Sequence, residues 1–306
     1  MRYRFLNDKR LIPYLYLLPF MLLFLGFTLF PLLFSLWMAL HSATDAGSFL
    51  QMSFSGLENF RYLLEDDWFH VAVYNTLWIA LVSGLPQHLI AIPLATYLYR
   101  HSRRRNLLSL FLFFLPYLTS SVAIALVFNA LFSRDYGLIN QWLAALWGLV
   151  SPASTAPQPP IDWYDAEHIR WLIALVVCWK NTGWNTLIYL AAMRTVNKDL
   201  FEAASLEGAG FWKQLRIVVL PNIKPVMLLA LGLTLIGNLQ LFDEAYLLTS
   251  GTGGSGQSGL TVMMYIFNLA FIDGDYSLAS AAAWLLTLLL LILLPLLKKG
   301  TRDETT

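Results

Sequence analysis

The chain has 306 residues, 58% of them hydrophobic and 13% charged, with a formal net charge of +1 and a mean hydropathy of +0.59. Such a composition excludes an ordinary water-soluble globule and predicts an all-α protein that crosses a membrane several times. A single cysteine, Cys178, excludes a disulfide framework and a Cys-based metal site.

Residues 11–40 form the first apolar run, long enough to cross about 30 Å of hydrocarbon with some tilt. It is too long for the core of a cleaved signal peptide and reads as a retained span, kinked at Pro13, Pro19 and Pro31. Arg2, Arg4, Lys9 and Arg10 precede it. Residues 41–69 beyond it carry Asp45, Glu58, Glu65, Asp66 and Asp67 against Arg61 alone, which predicts a cytoplasmic N-terminus.

The second span is expected over 71–99, with Pro86 and Pro93 inside it, and it empties into Arg100, Arg103, Arg104 and Arg105. That basic run reads as a positive-inside anchor rather than a lipid or nucleic-acid patch. A third span follows over 107–132. Residues 133–170 then hold an amphipathic piece around Trp142 and Trp147 and the run SPASTAPQPP, an exposed outer linker that could touch a soluble partner. The fourth, fifth and sixth spans are expected over 171–193, 226–248 and 278–297. A Gly-rich outer loop, 249–276, carries a short apolar helix over 260–271. Six spans put both ends on the same side. The basic residues agree: four in the N-terminal tail, four beside Arg100, five from Arg194 to Lys224 and three at the end make sixteen of the 20.

Between the fourth and fifth spans lies a charged island, 199–221. Asp199 and Glu202 suit a first helical turn, and Ala203, Ala204 and Leu206 favour helix. Gly208 and Gly210 break it, and 211–219 reads as a second short helix closed by Pro221. The spacing Glu202-Ala203-Ala204, Gly208, Val218, Leu220-Pro221 resembles the EAA signature of binding-protein-dependent ABC importer permeases, with Val218 where Ile is usual. YLYLLPFMLLFLGFTLFPLLFSL, FSGLENFRYLL, YNTLWIALVSGLPQHLIAIPLATYL, FFLPYLTSSVAIALVFNALF, DYGLINQWL and LQLFDEAYLLTSGTGG look like the sugar-type members.

The resemblance implies one permease domain that moves a di- or oligosaccharide, or a related polyol or glycerol phosphate, across the inner membrane by alternating access, does not hydrolyse ATP and binds no cofactor of its own. It implies a second homologous permease, a cytoplasmic ATPase dimer holding ATP and Mg, and an extracytoplasmic solute-binding protein. In the resembled family the EAA knob docks on the ATPase and passes its motion to the membrane helices.

Polar side chains inside a bilayer are costly and mark function by default. The fourth span holds Lys180, Asn181, Trp184 and Asn185, and the fifth holds Asn238, Gln240, Asp243 and Glu244 after Gly237. Amides donate and accept together, as sugar hydroxyls require, and an aromatic face covers a pyranose. The bland reading of each Asn is a bond between packed helices. The resemblance implies that Asn181, Trp184 and Asn185 face a mid-membrane sugar site opposite Gly237, Asn238 and Leu241. Lys180 with Asp243 or Glu244 is expected either to form an intramembrane ion pair or to reach the outer interface.

Gly251 to Ser258 mimics the phosphate-loop spacing, but Gln257 replaces its lysine and the strand–loop–helix context is missing. The five histidines, His41, His70, His88, His101 and His168, show no metal-ligand spacing, and no metal is expected. Two other classes stand beside the importer. A membrane enzyme acting on lipid-linked substrates would rely on Asp66-Asp67 or Asp162/Asp165, and an ion-gradient symporter on Lys180, Asp243 and Glu244.

Overall fold

The computed structural model describes residues 12–43, 52–100, 103–150 and 160–299. The basic tail 1–10, the linker 151–159 and the tail 300–306, on which part of the topology reading rests, lie outside them.

The chain divides into two units, 1–66 with 266–287, and 67–265 with 288–306. In the first, α1 (Ile12–Phe24) and α2 (Phe30–Ala39) are joined through a π-helical turn, Leu25–Leu29, into a 26-residue apolar helix, Tyr14–Ala39, none of whose most apolar window is buried. A two-stranded antiparallel ribbon follows, β1 (His41–Ala43) against β2 (Met52–Phe54), and then α3 (Glu58–Glu65). Asn59 ties helix to ribbon by donating to the carbonyls of Ala39 and His41, both at 2.9 Å. Trp284 Nε1 donates to Ser35 Oγ at 3.3 Å.

The second unit carries the candidate site. Its centre is α4 (Asp67–Arg100), 34 residues long. It is followed by α5 (Arg103–Leu118), α6 (Ser121–Leu131) and α7 (Leu138–Val150). Next come α8 (Ile169–Met193), α9 (Lys198–Leu206), α10 (Phe211–Gln214), α11 (Leu220–Leu239), α12 (Asp243–Leu248) and α13 (Val262–Phe267). A π-helical stretch, Asn268–Ile272, continues α13 into the first unit, and α14 (Tyr276–Lys299) begins there and ends in the second. Helices α4 and α8 pack along one another, and α5 and α11 pack on both of them.

Four described helices are long and apolar enough to span a membrane, and α5 with α6 makes a fifth candidate. The 25-residue α8 matches the expected fourth span in position, its apolar character diluted by the polar residues at its centre.

Two expected spans differ in shape. The third is two helices bent by 96°. Pro116 weakens the end of α5, Thr119 Oγ1 bonds the Leu115 carbonyl (2.9 Å), and Ser120 takes an extended ψ of 135°. The fifth stops at Leu239, and 240–242 leave the helix before α12 begins.

Pro221 does not close a helix as expected. Phe211–Leu239 is one continuous 29-residue run that widens into a π turn at Leu215–Val219, ending two residues before the proline. The turn at Leu25–Leu29 stands in the same relation to Pro31. An extra residue in the turn displaces the carbonyl that the pyrrolidine ring would strike, and the missing N–H costs no break.

Candidate functional site

Positions 181, 184 and 185 lie on one face of α8, and 234, 237 and 238 on one face of α11, because residues three and four apart are neighbours on a helix. Both faces open on one cavity of about 350 Å³. All seven residues expected to form a substrate path line it: Asn181, Trp184, Asn185, Gly237, Asn238, Gln240 and Leu241. The break at 240–242 brings the last two there, since a helix continuing through Leu241 would have carried them onward along its axis.

The polar groups are held from behind. Asn185 Nδ2 donates to Gln87 Oε1 (3.1 Å) and Thr234 Oγ1 (3.5 Å), and Asn238 Nδ2 donates to Ser83 Oγ (3.0 Å) and the Ala80 carbonyl (3.3 Å). For these two residues the helix-packing reading is therefore correct in part: they tie α8 and α11 to α4 while facing the cavity. Asn181 Nδ2 bonds the Val177 carbonyl of its own helix (3.0 Å).

Sequence reasoning missed Gln87 and Tyr117. Gln87 is fully buried in α4, lines the cavity, and its Nε2 has no hydrogen-bond partner among the described residues. An open donor in a desolvated place costs about 1–3 kcal/mol unless an acceptor arrives. Its signal was available: an amide inside the second apolar span, beside Pro86. Tyr117 stacks on Trp184 with ring centroids 4.9 Å apart and planes 14° apart, and Phe114 lies on both. The two aromatic rings at the wall form a shelf that suits the apolar face of a sugar ring.

Of the two arrangements open to Lys180, the structure has the ion pair. Nζ lies 2.5 Å from Glu244 Oε1, with the side chains 16% and 8% exposed, and 2.8 Å from Ser121 Oγ. Ser121 opens α6 just past the bend, so the 96° turn is what brings its hydroxyl to the pair. Asp243 remains at the wall and accepts from Ser121 Oγ at 3.5 Å.

Leucine at Gly237 is expected to abolish solute passage without unfolding the chain. A Cβ there meets nothing within 4 Å, so the new side chain fills cavity rather than core. Uptake measured beside the yield of folded protein separates the two effects.

The stretch 199–221 forms the second candidate surface. Asn197 caps α9 by accepting the Asp199 N–H (3.0 Å). Gly208 ends it at φ +75°, with Gly208 N–H on the Ser205 carbonyl (3.0 Å) and Ala209 N–H on that of Ala204 (2.9 Å), the paired bonds of a left-handed glycine cap. Gln214, also missed, is 1% exposed and staples the two helices by donating to Ser205 Oγ (2.8 Å) and the Ala209 carbonyl (2.9 Å). Ala204, Leu215 and Val218 pack inward, as does Leu220 in part. Glu202, Ala203, Gly208 and Pro221 are exposed, and so are Leu206 and Trp212. The signature residues thus divide between a buried seam and an outward surface.

Among the remaining candidates, the Gly-rich loop is pinned by Asn75, which donates to the carbonyls of Gln257 (2.9 Å) and Leu260 (3.0 Å). Asp165, Glu167 and His168 bring ligand-type atoms within 4.8 Å of one another, a grouping the sequence spacing did not suggest. Asp165 Oδ1 is already occupied by the N–H groups of Glu167 (3.0 Å) and His168 (2.8 Å) and by His168 Nδ1 (2.8 Å), a local turn leading into α8. Nearby, Tyr164 donates to Asn129 Oδ1 (2.6 Å), and burial together with the Asp162 charge pushes its pKa up to about 12.

A long polar-centred α8 against a broken α11, with a cavity at the break, is the arrangement of a solute permease. Residues 87–302 match the family described as "Binding-protein-dependent transport system inner membrane component", and the chain belongs to that family. It is 33% identical over 282 residues to the lactose transport system permease protein LacF of Rhizobium radiobacter, covering 92% of this chain and 90% of that one. It is 30% identical over 304 residues to the arabinooligosaccharides transport system permease protein AraP of Bacillus subtilis, covering 96% and 90%. Its fold matches a chain in the crystal structure of a bacterial alginate ABC transporter in complex with an alginate pentasaccharide-bound periplasmic protein, with a TM-score of 0.79, 23% identity and coverage of 100% and 99%. The all-α, multi-pass permease expected from the sequence is borne out, as is its place among sugar-type permeases of this family.

Proposed function

We propose that this chain forms one half of the membrane path of an ATP-driven importer, moving a di- or oligosaccharide or a related polyol by alternating access. Asn181, Trp184, Asn185, Gly237, Asn238, Gln240 and Leu241 converge on one cavity that also holds the Gln87 Nε2 donor, unpaired among the described residues, and this convergence supports the reading. At about 350 Å³ its volume falls within the range of small-molecule sites, about 300–1,000 Å³. The relatives named for lactose and arabinooligosaccharides support the sugar class.

The other half of the path falls to a second, homologous permease. ATP and Mg belong to a pair of cytoplasmic ATPase subunits, not to this chain, and a soluble binding protein delivers the solute from outside. Both termini and the 199–221 surface face the cytoplasm. There Glu202, Leu206 and Trp212 suit a docking face: a carboxylate with two large apolar side chains, 90% and 69% exposed, on a stretch that lies between the membrane-spanning helices. Loading outside and ATP-driven closure inside bias two states of the bundle.

Copurification from native membranes tests the assembly, and uptake tests the energy source. The tagged chain should bring down an ATPase, a second permease and a solute-binding protein. Sugar uptake should stop on ATP depletion and survive collapse of ion gradients. Uptake that follows the ion gradient would instead favour a symporter built on the Lys180–Glu244 pair.

A further inference from the structure

Apart from the Tyr117 phenol, three ionisable side chains line the cavity: Lys180, Asp243 and Glu244. The lysine is committed, its ammonium held between Glu244 Oε1 and Ser121 Oγ. A cation so neutralised at close range offers little net attraction to an incoming anion. Asp243 is exposed at the wall, and the hydrogen bond it receives from Ser121 is long, at 3.5 Å. One ammonium against two carboxylates leaves this wall negative. Its other polar side chains are neutral amides and hydroxyls, including the buried Gln87 Nε2, which has no partner among the described residues. An amide N–H of that kind is satisfied by a hydroxyl or ring oxygen, with no counter-charge required.

We infer that the cavity admits neutral glycosides and rejects anionic ones, uronates and sugar or polyol phosphates alike, with Asp243 as the residue that sets the charge filter. The inference rests on the reading of this cavity as the sugar path. Repulsion between unit charges across a partly desolvated site is worth about tenfold or more in binding, enough to discriminate without any steric difference. A neutral disaccharide meets only the aromatic shelf and the amides. A diuronate of the same size meets those groups and Asp243.

Saturation-transfer NMR on the copurified permease pair with its ATPase subunits in lipid nanodiscs, without the solute-binding protein and with lactose and digalacturonate as probes at equal concentration, tests this. Lactose should give a signal that falls in Trp184→Ala, and digalacturonate a signal at least about fivefold weaker. Asp243→Asn should raise the ratio of digalacturonate to lactose several-fold, and Asp243→Ser should do the same by removing the same charge. Digalacturonate binding as strong as lactose in the unaltered chain, or a ratio unmoved in both variants, would overturn the filter while leaving the sugar path standing. If neither probe gives a signal that depends on Trp184, the path reading fails and takes the filter with it.

Discussion

Alanine at Gly183 is expected to prevent the second unit from packing, with little or no folded chain recovered. A Cβ built there would lie 1.9 Å from the Phe113 carbonyl oxygen and 2.6 Å from its carbon, both backbone atoms of α5. Overpacking that side chains can absorb costs about 1–3 kcal/mol. Here no rotamer relieves the contact, so α5 must move away from α8, and with it Tyr117 and the bend that delivers Ser121 to Lys180. The check is the yield and thermal midpoint of detergent-solubilised protein, with Gly237→Ala as the reference, since a methyl at that position meets open space. A Gly183→Ala protein that folds and melts like the reference would show that the α5–α8 contact is looser than described.

Arginine at Glu202 is expected to have the opposite signature: a normally folded chain and no transport. Glu202 is exposed, and its neighbours in the outward surface are Ala203, Leu206 and Trp212, so reversing its charge disturbs no core. Uptake should fall to background and the proposed ATPase partner should no longer copurify, while membrane insertion and melting stay as in the parent. Valine at Gly208 tests the same surface through the backbone. The glycine holds φ +75°, a conformation that costs an L-residue about 1–2 kcal/mol and a β-branched one more. The α9 cap should loosen and coupling fail without loss of the bundle. Wild-type uptake in both variants would remove 199–221 from the coupling role.

Much of this was legible because the bilayer imposes simple rules. Long apolar runs mark helices. The cluster around Asn181 and Asn238 stood out because amides are scarce in such runs, and it met at one cavity because helical spacing put each set on one face. The shape of the broken helices was not legible. The chain is apolar on both sides of Thr119 and Ser120, and the bend lies at a hydroxyl bond to backbone, Thr119 Oγ1 to the Leu115 carbonyl, that composition does not report. The π turn before Pro221 was misread for a related reason: a proline in a sequence says that a hydrogen bond is missing, not whether the helix stops or widens around it. Gln87 escaped because it is a lone amide in the second span, although it was as anomalous there as any on α8. The choice of Glu244 over Asp243 as the lysine's partner needed the break at 240–242, which rotates the first turn of α12 toward α8.

If the cavity between α8 and α11 carries the transported sugar, a single thiol placed in it reports the sugar's presence. Cys178 is the one cysteine in the chain, so a Cys178→Ala background is free of thiols, and Gly237→Cys places one thiol where a Cβ meets no atom within 4 Å. Labelling of that thiol by a membrane-impermeant maleimide should be slowed several-fold by saturating transported sugar, and should change in rate when ATP is added to the copurified complex. A thiol that reacts at the same rate with and without sugar, in a complex that still transports, would place the path elsewhere.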